Sequence, residues 1–487
     1  MVAESTSKTR QGGNLSRQLS HGQLTMIALG LAVGTGLFLG SGPAIAIAGP
    51  AVIVSYAIGS LIAAIIGACA GEMAVRYPVR GGFGTIAGKF ISPYAGYLTR
   101  WAYWMTTVTL AGAEVVAVGA YMAYWYPDVP LWIWVLIAGV SILVLNLTSV
   151  KSFGIVEFFL SSIKVSAVVL FIIFGLALVF FGLPGQGATG VANLTAHGGF
   201  IPNGLGSIWL ALAIVMFSFG GIELISISAA EAKDPVRSVR SSAKAMMWRL
   251  ATFYVLSLFI VVAIIPWTTA STLGKDIEGS PFVMVFTELG IPYIGGITNF
   301  ILMTAALSGA NAALYAATRL LHALGHEGMA PKVLSRTSSS GIPALALTVS
   351  SLGAVVAMIM AISGVGGIFG YMMALVTVCV LVVWSMILLS YIAYKRAEGN
   401  ASPFLVFGGS ATATVGLIGV IATFIAMFFS GSSMLTSVLV GLGFFGIITV
   451  VYFAGVNKNV QTSDDAFEEV RAVTTSLPEV SDRPQAK

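Results

Sequence analysis

The sequence predicts an all-α integral membrane protein with twelve transmembrane helices, the first and sixth of them discontinuous. Three observations predict it. The 487 residues are 57% hydrophobic and only 9% charged, whereas soluble domains carry roughly 25% charged residues. The mean hydropathy is +0.94, and Asp, Glu, Lys and Arg are missing altogether from 22–71, 165–222, 337–394 and 399–457. Two glycine clusters, "GTG" at 34–36 and "GG" at 220–221, then interrupt segments that otherwise read as regular spans. A crossing takes about 20 apolar residues, so each uncharged run holds two helices and a turn. A β-barrel is excluded, because barrel strands alternate polar and apolar residues.

In chain order, a polar tail over 1–21 lacks a signal-peptide apolar core and is expected in the cytoplasm. Spans are expected at 22–47 and 50–75, parted by the turn residues of "GPAIAIAGPA" (42–51). The third (94–125) and fourth (130–149) meet at "YMAYWYPDVPLWIW", an interfacial aromatic belt. The fifth covers 155–181. "LPGQGATG" (183–190) lies in a loop over 182–203. Spans six to ten are expected at 204–230, 246–267, 291–322, 343–362 and 366–394, and two more at 404–430 and 432–456. A polar, mixed-charge tail over 457–487 ends the chain, again expected in the cytoplasm. With this layout Arg76, Arg80, Lys89, Lys151, Lys233, Arg237, Arg240, Lys244, Lys332, Arg336, Lys395 and Arg396 fall on one side. Only Lys275 falls on the other. That asymmetry predicts both termini inside. The net charge of +5 therefore reports topology, and no nucleic-acid partner is expected. Cys69 and Cys379 sit inside apolar runs and read as small core residues.

The two glycine clusters fall in spans five apart. Interrupted segments at matching positions in two halves point to an inverted repeat with a midplane binding site. The repeats are 22–181 and 204–394, with 395–456 as two added helices. Helix interruption frees backbone groups, which is tolerated at this depth only beside a cavity or a ligand. In the first span, carbonyls are freed near Val33 and N–H groups near Gly36 and Leu37. The sixth supplies a second pair of ends near Ser218 and Gly221. Helix N-termini attract anions and carbonyl ends attract cations. Together they suit the carboxylate and ammonium of an amino acid. The competing reading of either cluster is close helix packing through small residues.

Ionisable residues within a span are functional candidates by default. Lys164, in "VEFFLSSIKV", is either a proton carrier or a fixed cation held by carbonyls or a carboxylate. Glu223 either braces the sixth span beyond its break or takes protons. Glu114 lines a pocket or pairs with a polar group. Glu72, Glu157, Glu231 and Arg319 lie nearer span ends and read as anchors. Phe217 beside the break is either a lid over substrate or a packing residue, and Phe219 flanks the break on its other side. Asn311 reads as an interhelical hydrogen bonder or a substrate contact. Ala312, Ala313 and Ala316 leave room beside it. His322 and His326 with Glu327 resemble a metal pair only faintly. No metal site and no Ser, His or Cys constellation of an enzyme is expected.

The stretches "LSRQLSHGQLTMIALGLAVGTGLFLGSG", "AGPAVIVSYAIG", "VEFFLSSIKV", "MFSFGGIELISISAAEAKDP", "FYVLSLFIVVAIIPW" and "LYAATRLLHALGHEGMAPKVL" resemble bacterial amino acid permeases. The likeness is to the amino acid transporter branch of the amino acid–polyamine–organocation superfamily. It implies the five-plus-five inverted-repeat fold named for the bacterial leucine transporter. It implies that substrate carboxylate meets Gly34, Thr35 and Gly36, and that substrate amine meets carbonyls near the breaks, including those of Ala32, Phe217 and Gly220. Phe217 then aligns with an aromatic that covers substrate. Lys164 aligns with a lysine occupying the sodium site of other relatives, which implies proton coupling without sodium and no cofactor. The expected function is import of an amino acid with a proton across the plasma membrane. The alternatives are amino acid exchange without net proton movement and, from a different class, a membrane sensor that binds without transport. The expected partners are the amino acid and the lipid bilayer. No feature of the sequence sets an oligomeric state.

Overall fold

The computed structural model describes residues 34–79, 81–147, 150–182, 187–223, 250–270, 280–288, 293–338, 341–399, 406 and 408–456. Among them the secondary structure is helical, with no strand. The segments α1 (Thr35–Phe38) and α2 (Ser41–Ala48) run almost end to end, joined by Leu39 and Gly40 N–H groups donating to Thr35 O. A 3₁₀ turn at Gly49–Ala51 leads into α3 (Val52–Arg76). The short helix α4 (Gly82–Phe90) follows, then α5 (Pro93–Ala123), α6 (Leu131–Asn146) and α7 (Val150–Phe180). Ser92 caps α5 by accepting from Ala95 N–H, and Pro93 occupies its first turn, where no N–H is needed.

Next come α8 (Leu205–Val215), a π-helical stretch at Leu250–Leu256 continuing as α9 (Ser257–Ile264), and α10 (Pro281–Glu288). The chain closes with α11 (Ile294–His326), α12 (Ala344–Ser350), α13 (Leu352–Ile362), α14 (Ile368–Glu398), α15 (Ser410–Met427) and α16 (Ser432–Ala454). Among the described residues, eight segments are long and apolar enough to cross a membrane, and three shorter apolar helices, Leu131–Asn146, Leu205–Phe219 and Thr252–Ile264, accompany them. Helices this apolar all round belong in a bilayer, where side chains facing lipid need no polar cover.

The long helix α5 is the hub. It packs on α11, α14, α13, α6 and α4, and four-fifths of its span is buried. By contrast α16 and the α12–α13 pair bury about a third or less and turn Ile359, Leu439 and Val450 outward. The ninth expected span is divided at Ser351 between α12 and α13. Two residues on, Gly353 presses its backbone against α5, so that a Cβ on Gly112 would meet Gly353 O at 2.6 Å.

Two ion pairs, one of them buried, tie helix ends together. Glu72 of α3 takes Lys395 Nζ of α14 at 2.6 Å, Tyr391 O–H at 3.0 Å and Val406 N–H at 3.2 Å. Arg100 of α5 pairs with Glu327 just past α11 and donates to Thr85 of α4. Its neighbour Trp101 donates to Met329 O at 3.2 Å. Thus Glu327 serves an ion pair, while His322 and His326 stack edge to face at 4.6 Å and His322 Nδ1 bonds Leu334 O at 3.2 Å. Among the described residues no group of three His, Cys, Asp or Glu is placed to hold a metal. Glu231 and Ala32 lie outside the described residues.

Candidate substrate and coupling site

Both glycine clusters coincide with helix ends. Gly34 is extended (φ −124°, ψ −173°) and the helix starts at Thr35. The N–H of Leu37, expected free, donates to Gly34 O at 3.2 Å, because Gly34 turns its carbonyl into the first helical turn. The groups outside the ladder lie one or two residues earlier, at Thr35 and Gly36. At the other cluster, α8 tightens into a 3₁₀ turn over Met216–Phe219 and stops. Gly220 leaves the helical region (φ −54°, ψ 141°). Gly221 follows at φ 100°, a conformation that costs glycine little and other residues much.

The two ends touch. A Cβ on Gly36 would lie 2.7 Å from Ser218 Cα and 2.9 Å from Phe217 Cδ1, so only glycine lets α1 approach the turn this closely. Phe217 is buried and meets Phe369 of α14 edge to face at 6.0 Å. Ser218 is held from two sides: its Oγ shares a hydrogen bond with Tyr56 O–H at 3.2 Å, and its carbonyl accepts from Tyr254 O–H at 2.7 Å. Those two tyrosines stack at 5.9 Å. They fix the backbone just ahead of the break without a regular helix.

Charged groups gather beside α1. Thr35 Oγ1 donates to Glu114 Oε1 at 2.9 Å. Glu114 lies over Gly309 of α11, where a Cβ would come within 2.9 Å of its carboxyl carbon. Its other oxygen, Oε2, is buried with no hydrogen-bond partner among the described residues. Lys164 of α7 is 1% exposed and interacts electrostatically with both Glu157 and Glu114. Its Nζ is 4.0 Å from Glu157 Oε1. That oxygen also accepts from Ser308 Oγ of α11 at 2.6 Å and from Ser161 Oγ at 3.3 Å. An oxygen-and-ammonium cluster of this kind can hold and exchange protons between its members.

Glu223 points elsewhere. One oxygen accepts from Gly221 N–H at 3.0 Å and the other from Trp384 Nε1 of α14 at 3.0 Å. Asn311 accepts from Asn146 Nδ2 of α6 at 2.9 Å, an interhelical bond. Ala312 and Ala313 beside it are buried. So Gly34, Thr35, Gly36, Phe217, Ser218 and Glu114 come together, Lys164 joins through Glu114, and Glu223 and Asn311 have partners of their own. The structure adds Glu157, which the sequence reading treated as a span-end anchor. The signal was its spacing: seven residues before Lys164 is two helical turns on the same face. Arg100 was missed inside the third expected span, and Lys395 was read as a loop cation although it is 8% exposed.

These features define a class: a multi-pass helical membrane protein with a buried polar centre where two helix ends meet. The amino acid permease model matches residues 23–464. The chain is 35% identical over 454 residues to the probable threonine/serine transporter YbxG of Bacillus subtilis (strain 168), covering 92% of this chain and 97% of that one. It is 38% identical over 389 residues to the aromatic amino acid transport protein AroP of Escherichia coli (strain K12), covering 80% and 84%. It is equally similar over the same length to the uncharacterized amino acid permease YtnA of B. subtilis. The chain belongs to the amino acid permease family.

Proposed function

We propose that this permease imports a neutral amino acid together with a proton across the plasma membrane, by alternating access. It would do so with twelve crossings, an inverted five-helix repeat and both termini in the cytoplasm. The observation that carries the reading is the contact of α1 with the 216–219 turn beside a buried carboxylate–ammonium cluster. Backbone groups of Gly34, Thr35 and Gly36 hold the substrate carboxylate, and carbonyls around Phe217 and Gly220 hold its ammonium. Phe217 covers the bound molecule. The neutral cargo is supported by the names of two relatives, one for threonine and serine and one for aromatic amino acids.

Coupling follows from the Thr35–Glu114 bond. It links the start of α1 to the cluster holding Lys164, so a change of protonation there alters what holds α1 in place. Protonated Lys164 secures α1 and keeps the inner route shut; loss of the proton inward releases it. Glu223, bonded to Gly221 and Trp384, acts as the brace of the second break. No sodium is required in this scheme, nor any cofactor.

The test is uptake of labelled amino acid into proteoliposomes under an imposed pH gradient, in sodium-free buffer. Uptake should follow the gradient, and Lys164→Ala should abolish that response. Uptake that needs sodium would overturn the coupling scheme. Counterflow indifferent to the gradient would instead assign exchange. A panel of unlabelled amino acids competing with the label identifies the cargo.

A further inference from the structure

The buried cluster is unbalanced. Glu114, Lys164 and Glu157 are 3%, 1% and 0% exposed, and together they hold two carboxylates against one ammonium. Each carboxylate has one oxygen bound by a hydroxyl from another helix, Thr35 for Glu114 and Ser308 for Glu157. The second oxygen of each, Oε2, is buried with no hydrogen-bond partner among the described residues. Leaving a net negative charge and two bare carboxylate oxygens away from water is costly. A proton on one of them removes the net negative charge. The cluster is therefore built to hold one proton beyond the set that full ionisation allows.

We infer that Glu157 is the group that takes the proton from Lys164 on the cytoplasmic side, so that Glu114, Lys164 and Glu157 act as a three-membered proton relay. The inference rests on the proton-coupled reading above and deepens it. Seven residues at 1.5 Å each put Glu157 about 10 Å along α7 from Lys164, toward the helix N-terminus, the end that the charge asymmetry turns inward. In the transfer an N–H bond of Lys164 breaks and an O–H bond forms on Glu157. The ammonium becomes a neutral amine and the carboxylate a neutral acid, so no net charge is left buried at that pair.

The groups facing Glu157 are few. Lys164 and Ser161 come from its own helix, Ser308 from α11, and Glu114 of α5 stands across Lys164. The segment 252–264, packed on the same helix, carries Tyr254 as its one titratable residue, and that hydroxyl is spent on Ser218 O. Glu157 makes no contact with either helix break among its recorded partners, so its part is with the proton and not with the amino acid.

Glu157→Gln keeps the shape and removes the proton site. One pH unit is worth about 1.4 kcal/mol, or about tenfold accumulation for one proton per substrate. In proteoliposomes the wild type should show that accumulation. Glu157→Gln should lose it while counterflow, in which no proton need be released, continues. Gradient-driven accumulation in Glu157→Gln equal to the wild type overturns the relay, as does loss of counterflow along with accumulation. A second variant, Ser308→Ala, removes one donor to Glu157 without changing charge. It should weaken gradient-driven accumulation while counterflow continues, because Glu157 Oε1 has lost a donor; accumulation equal to the wild type overturns the assignment. If the wild type itself ignores the gradient, it is the proton-symport reading that fails.

Discussion

Substituting Gly36 by alanine tests the contact on which the binding site depends. The added Cβ would lie 2.7 Å from Ser218 Cα, 2.9 Å from Phe217 Cδ1 and 2.9 Å from Ser218 Oγ. Carbon atoms rest at about 3.5–4.0 Å, so α1 and the 216–219 turn must part by about 1 Å. The nearest obstacle is backbone, held by the Tyr254 hydrogen bond to Ser218 O, so no side chain can swing away to relieve it. Overpacking of this kind costs about 1–3 kcal/mol. The same displacement spoils two or three substrate hydrogen bonds worth about 0.5–1.5 kcal/mol each, and every 1.4 kcal/mol is about tenfold in affinity. Substrate binding to purified Gly36→Ala protein should therefore weaken about 10- to 100-fold. Gly42→Ala is the matched control, because its Cβ would meet Pro281 Cγ at an ordinary 3.7 Å. Wild-type affinity in Gly36→Ala would refute the site; so would equal losses in both variants.

Two further substitutions probe the supports. Trp384→Phe removes a donor to Glu223 Oε2, at a cost of about 1–3 kcal/mol; substrate binding should weaken while the response to a pH gradient persists. Loss of the gradient response would make Glu223 a proton carrier instead of a brace. Lys395→Met strands the Glu72 carboxylate, whose remaining partners are Tyr391 O–H and Val406 N–H. Breaking a buried pair costs about 3–5 kcal/mol, read as a fall in the temperature at which the purified protein loses its monodisperse peak. Adding Glu72→Gln should restore most of that temperature, and a double variant as unstable as the single one would contradict the pairing.

Helices and breaks were legible because both are local properties. Uninterrupted apolar runs can only be helices in a bilayer, and the glycines at 34, 36, 220 and 221 mark where the ladder stops. Glu114 and Lys164 stood out because charge within a span is rare. Arg100 escaped notice although it stands eight residues into α5, since its meaning depends on Glu327, more than two hundred residues away. Lys395 and Glu157 were misread for the same reason. A charge near a span end has the same local sequence whether it faces water or a carboxylate from another helix.

The buried charges sort by their balance. Glu72 with Lys395, and Arg100 with Glu327, match one carboxylate to one cation. Neither pair carries a net charge that an added proton would relieve. Such pairs lock helix ends: α3 to α14, and α5 to α4 and the chain beyond α11. The Glu114–Lys164–Glu157 cluster has one carboxylate too many, and each acid keeps one oxygen bare. A proton added there relieves the imbalance, and a proton removed restores it. Of the three clusters it alone reaches a helix break, through Thr35. Charge that is balanced holds helix ends in place, and in the proposed coupling scheme the Glu114–Lys164–Glu157 cluster passes a change of protonation to the start of α1.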